Sequence, residues 1–146
     1  MTNRKLTYNE ICRAIKHYSE AAAENLRDFI ADCDIAGGFA TFAANGAVTL
    51  DMERFETDGI PEYMLYHRDG GNLDPAVTFA YDENAGKVYV YTYESETTGA
   101  YVEIRDDEHG ADRLETELGL TEFLYNWTEG LHKYGYRFTP WKAVRK

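Results

Sequence analysis

The chain has 146 residues, 44% of them hydrophobic and 14% aromatic, with three prolines and a formal charge of −11. That length suits one domain over residues 1–146 built on one core, and the apolar content excludes an intrinsically disordered chain. No apolar run reaches the roughly 20 residues of a membrane-spanning helix, and the polar start excludes a secretory leader, so the expectation is a cytoplasmic protein without a membrane partner.

In chain order, the first signal is a helix start. Thr7 and Glu10 stand in capping-box spacing, with Leu6 and Ile11 as a hydrophobic staple. Ile11, Ile15, Tyr18, Ala22, Leu26, Phe29 and Cys33 then repeat at intervals of three and four, which predicts one long helix ending before Gly37-Gly38. After the glycines the period becomes two. Phe39 to Ala43 and Ala47 to Met52 read as a hairpin around Asn45-Gly46. Tyr63 to Arg68, Ala76 to Asp82, Lys87 to Tyr93 and Ala100 to Arg105 follow as strands of a meander. A helical turn over Ala111 to Leu118 and a helix over Thr121 to Tyr134 come next, and the tail from Tyr136 is aromatic and basic. The predicted class is α+β: an antiparallel sheet of about five or six strands, with a long N-terminal helix and a C-terminal helix packed on one face.

Lys87-Val88-Tyr89-Val90-Tyr91-Thr92-Tyr93 alternates without a fault, so Tyr89, Tyr91 and Tyr93 are expected on one face. The preceding turn decides which face is core. A three-residue loop at Asn84-Ala85-Gly86 sets Phe79 and Tyr81 with the tyrosines, whereas a four-residue loop sets them with Val88 and Val90.

Motifs for chemistry are scarce. Ser19 and Ser95 are the only serines, and neither sits in a nucleophile elbow. His17, His67, His109 and His132 lack metal-site spacing, and Cys12 and Cys33, about 30 Å apart on one helix, can neither bridge nor ligate together. Asp32-Cys33-Asp34 opens like a calcium loop, but Ala43 stands where a bidentate Glu is required. The double glycines lack the residues of a phosphate-binding loop. No catalytic residue, metal or cofactor is assigned.

The charge is concentrated. Residues 51 to 122 hold 19 Asp and Glu against 5 Lys and Arg, while the two flanks are near neutral and basic. A rigid acidic surface can occupy the groove in which a nucleic-acid-binding protein holds phosphates, and it repels nucleic acid itself. In composition the chain resembles the DNA-mimic inhibitors that phages and plasmids direct against restriction or CRISPR nucleases, although no motif carries the likeness. That resemblance implies a non-enzymatic protein that binds the basic surface of a protein partner and inhibits a host defence. The expected contact residues are Asp82, Glu83, Glu94, Glu96, Glu103, Asp106, Asp107 and Glu108, supported by Tyr91, Tyr93 and Tyr101. The competing class is a small enzyme or ligand-binding module with a carboxylate-lined pocket between sheet and helix. A homodimer through the aromatic strand face is a third.

Overall fold

The computed structural model describes residues 6–104 and 110–139, with side chains from 113 onward in the second of these stretches. Helix α1 (Tyr8–Ile35) is followed by β1 (Phe39–Ala43), β2 (Leu50–Phe55), β3 (Glu62–Asp69), β4 (Asn72–Asp82), β5 (Lys87–Ser95) and β6 (Ala100–Glu103). Helix α2 (Gly110–Tyr134) and β7 (Arg137–Thr139) complete the order. The α+β class holds, with one helix at each end of the chain and every strand pair antiparallel. Among the described residues the sheet has seven strands, not five or six, in the order β6-β5-β4-β3-β2-β1-β7. The additional strand is three residues long, too short to show an alternation. It exists because the chain leaving α2 runs back beside β1, where Phe138 pairs with Phe42.

Helix α1 starts as the sequence dictates. Thr7 Oγ1 accepts from the Glu10 amide at 3.1 Å, and Glu10 Oε1 accepts from the Thr7 amide at 2.8 Å. It ends where Gly37 and Gly38 adopt positive φ. Its stripe, Ala22, Leu26, Phe29 and Cys33, is buried against Phe42, Leu50, Met52, Tyr63, Leu65, Val77, Phe79, Val88 and Val90 of one sheet face. Helix α2 adds Leu120, Leu124 and Leu131 to the same core. It runs unbroken through Gly119, where two helical pieces are expected from the sequence. A glycine inside a helix costs about 1 kcal/mol. Burial of Leu120, Thr121 and Leu124 directly after it offsets that cost.

The two helices are also joined by polar contacts. Asn25 Nδ2 donates to Thr128 Oγ1 at 3.1 Å and to Glu129 Oε2 at 3.0 Å, and His132 Nε2 donates to the Asn25 carbonyl at 2.7 Å.

Both hairpins at issue in the sequence have definite geometry. Asn45-Gly46 does form a turn, with the Ala47 amide donating to the Ala44 carbonyl at 3.1 Å. Gly46 has positive φ and Asn45 does not, so this is not the type I′ turn that closes a two-residue hairpin. The β1–β2 ladder begins only at Phe42 opposite Leu50. Between β4 and β5, Asp82 pairs with Lys87, which leaves a four-residue loop. Asp82 Oδ1 accepts from the Ala85 amide at 3.1 Å, and the Gly86 amide, at φ +67°, donates to the Asp82 carbonyl at 2.8 Å. Phe79 therefore joins Val88 and Val90 in the core.

Among the described residues, no helix is long and apolar enough to cross a membrane.

Candidate interaction face of the sheet

The four-residue loop turns the first tyrosines of β5 away from the helices. Tyr89 is 37% exposed and Tyr91 38%. The alternation then fails, because the register shifts by one residue: Phe79 lies opposite Val90, but Thr78 lies opposite Thr92. Tyr91 is the extra residue of this β-bulge. Beyond it inside and outside are exchanged, as a bulge requires. Tyr93 pairs with Val77 and turns inward, its ring meeting Phe123 of α2 edge-on at 5.1 Å. The three tyrosines expected on one face are thus divided, two outside and one against a helix.

Outside, the face is extended by β6. Tyr101 lies opposite Glu94 and is 56% exposed, while Glu103 lies opposite Thr92. Glu94, Tyr101, Glu103, Tyr91 and Tyr89 thereby form one contiguous area of carboxylates and phenols. Ala80, opposite Tyr89 and Glu62, is 1% exposed on this helix-free face, so the longer side chains to either side close over it. Tyr89 and Tyr91 also border a hollow of about 300 Å³ shared with Ile104 and with Arg113 and Glu117 of α2.

The other expected contacts are scattered. Asp82 and Glu83 sit at the opposite end of β5 from Glu94 and Glu96, about 26 Å away at the rise of a strand. Asp82 is partly engaged in its own turn, and Glu96 Oε1 accepts from the Leu73 amide at 2.8 Å. Asp106, Asp107 and Glu108 lie outside the described residues.

The centre of the same face is closed by its own polar contacts. Asp51, 1% exposed, accepts from Thr41 Oγ1 at 2.9 Å and pairs with Arg68. The Arg68 guanidinium lies 5.9 Å from the centre of the Tyr66 ring, and the Tyr66 hydroxyl donates to Glu53 at 2.6 Å. Burial, reinforced by that hydrogen bond, pushes the Tyr66 phenol up to about 12. Three strands bring these residues together, which is why sequence spacing does not reveal them.

Three tyrosines and two glutamates facing outward on a rigid sheet can hold cationic side chains, guanidinium groups above all, by stacking and charge together. A larger hollow, of about 510 Å³, lies away from this face beside the second half of α2, and none of its lining residues is among the contacts expected from sequence. No family model, no curated protein and no solved structure matches the chain, so the meaning of this face rests on its own geometry.

Proposed function

We propose that the chain is a non-enzymatic binding protein that receives a positively charged segment of a protein partner on the β5–β6 half of the sheet face opposite its core. The observation that carries this reading is the interleaving of exposed Tyr89, Tyr91 and Tyr101 with Glu94 and Glu103 on the sheet face opposite the core, at the edge that α2 reaches only with Arg113 and Glu117. Aromatic residues are favoured at interface centres, and carboxylates beside them select basic partners. The excess of acids between residues 51 and 122 extends that attraction beyond the contact area.

The basic surface that best fits is one built to hold phosphates. Glu94 and Glu103 are diagonal neighbours on adjacent strands, a relation that spans about 7 to 8 Å, close to the phosphate repeat along a nucleic-acid strand. A domain seated in such a groove excludes the nucleic acid, which makes it a mimic and an inhibitor of the enzyme that owns the groove. Nuclease-based host defences offer grooves of this kind.

The test uses an arginine-rich peptide and a glutamate-rich peptide of equal length, titrated calorimetrically at low and high salt. The arginine-rich peptide should bind, with affinity falling as salt rises. The double variant Glu94→Lys/Glu103→Lys should bind it about tenfold more weakly and with a shallower salt dependence. Equal binding by wild type and double variant would remove the face from consideration. Affinity chromatography of a host lysate with salt elution then asks whether the retained protein is a nucleic-acid enzyme.

A further inference from the structure

The hollow of about 510 Å³ lies between the second half of α2, the β1–β2 loop and the ends of β3 and β4 that meet at their hairpin. It is within the size range of small-molecule sites. Four of its lining side chains are rings: Trp127 and Tyr134 of α2, Tyr136 beyond it, and His67 of β3. Trp127 and Tyr136 flank His67 at centroid distances of 5.5 and 5.8 Å, and Tyr134 meets Tyr136 at 6.5 Å.

These rings are held in place. Tyr136 Oη donates to the Val48 carbonyl at 2.5 Å, and Trp127 Nε1 donates to His67 Nε2 at 3.4 Å. An indole N–H can only donate, so Nε2 is the bare nitrogen and the ring proton sits on Nδ1, which donates to the Thr49 carbonyl at 3.2 Å. The charged residues of the lining are Asp69 and Asp74, and neither Lys nor Arg is among its described members. Side-chain hydrogen bonds from Thr97 and Ser95 hold the Asp74 carboxyl below its usual range, so it is an anion at neutral pH.

Ring faces and carboxylates select the same ligand. The negative face of each ring attracts a cation, most strongly that of tryptophan, and the apolar ring surface favours alkyl groups around the charge. A metal ion fits less well, since it needs several converging ligands, and the described residues contain no group of three or more acidic, His or Cys side chains able to supply them. We propose that this hollow is a receptor for an organic ammonium ion, with its alkyl groups against Trp127, Tyr134 and Tyr136 and its charge facing Asp69 and Asp74. A free quaternary amine and a methylated lysine side chain present this same chemistry. The site is independent of the sheet face and stands without it.

The experiment follows the Trp127 indole N–H resonance by NMR, assigned by its loss in Trp127→Phe, while the protein is titrated with choline, with 3,3-dimethylbutan-1-ol and with a peptide carrying trimethyllysine. Choline and the alcohol share a shape and differ in charge. The expected result is a saturable shift with choline and a response to the alcohol at least about tenfold weaker. Asp69→Asn, at an exposed position, and Asp74→Asn should each weaken choline binding severalfold while the resonance of the unliganded protein stays in place, which shows the rings still assembled. Tighter binding of the peptide than of choline identifies a protein-borne ligand, and the reverse order a free amine. Equal binding of choline and the alcohol overturns the proposal, as does a Trp127 resonance that none of the probes moves.

Discussion

The Ser19 hydroxyl occupies the place of a neighbouring strand for Val88: its Oγ donates to the Val88 carbonyl at 2.6 Å and accepts from the Val88 amide at 3.0 Å. Strand β6 pairs only with the Thr92 to Ser95 part of β5, so the first half of β5 is an edge of the sheet among the described residues. Unpaired backbone groups on an edge invite another chain. A single buried side chain from α1 satisfies both groups of the residue that most needs it, since Val88 lies in the core.

Ser19→Ala should therefore lower stability by about 1 to 3 kcal/mol, because two buried backbone groups lose their partners and the gain in helix propensity is smaller than that. Urea denaturation followed by circular dichroism measures it. The variant should also associate more readily at high concentration, which light scattering will show. An unchanged denaturation midpoint would mean that water replaces the hydroxyl without loss.

The division of the tyrosines by the bulge predicts unequal costs of truncation. Tyr93→Ala removes a ring packed on Phe123 and the core and should cost about 2 to 3 kcal/mol. Tyr91→Ala should stay within about 1 kcal/mol of wild type. Thermal denaturation of the two variants side by side distinguishes this arrangement from the uninterrupted alternation of the sequence, which would give the two positions similar values.

Asp51 and Arg68 should be coupled. Arg68→Met leaves a buried carboxylate without its counter-charge, and the loss should be about 2 to 3 kcal/mol, at the lower end for such pairs because the arginine is half exposed. Asp51→Asn/Arg68→Met should recover a large part of that loss. Simple additivity in the double-mutant cycle would show that the two groups do not interact.

Alkaline pH should unfold the protein before it titrates the buried phenols. Burial, with the hydrogen bond to Glu53, raises Tyr66 from 10.0 to about 12, and burial, with the Asp34 carboxylate, raises Tyr63 further. A phenol with a raised pKa in the folded state keeps its proton there while the unfolded chain releases it. The stability it contributes is complete below pH 10 and is lost as pH climbs from about 10 towards 12. Phenolate absorbance should thus rise in two stages, the second coinciding with loss of helical ellipticity, and Tyr66→Phe should shift that second stage upward.

Much of the architecture is legible in the sequence because its signals are local. Thr7 with Glu10 marks the start of α1, and the period change after Gly37-Gly38 marks the passage to strands. What is not legible depends on residues far apart. The Val-Tyr-Val-Tyr-Thr-Tyr run gives no hint of a bulge, because the register shift is a property of its pairing with β4, and the inward Tyr93 meets Phe123, 30 positions further along the chain. Gly119 reads as a helix break and is overridden by the burial that follows it. The candidate contacts separate in the same way: Glu94, Glu103, Tyr91 and Tyr101 come together because β5 and β6 are adjacent, whereas Asp82 and Glu83 are carried to the other end of a strand by its length. The rings around His67 come from elements about 60 residues apart, and only the fold assembles them.

The contacts among Thr41, Asp51, Arg68, Tyr66 and Glu53 have a consequence for whatever approaches the sheet. They leave the carboxylates of one half of the outer face engaged within the sheet and those of the half at β5 and β6 turned outward. Such a face has a direction, and a basic chain laid across it has one favoured way round.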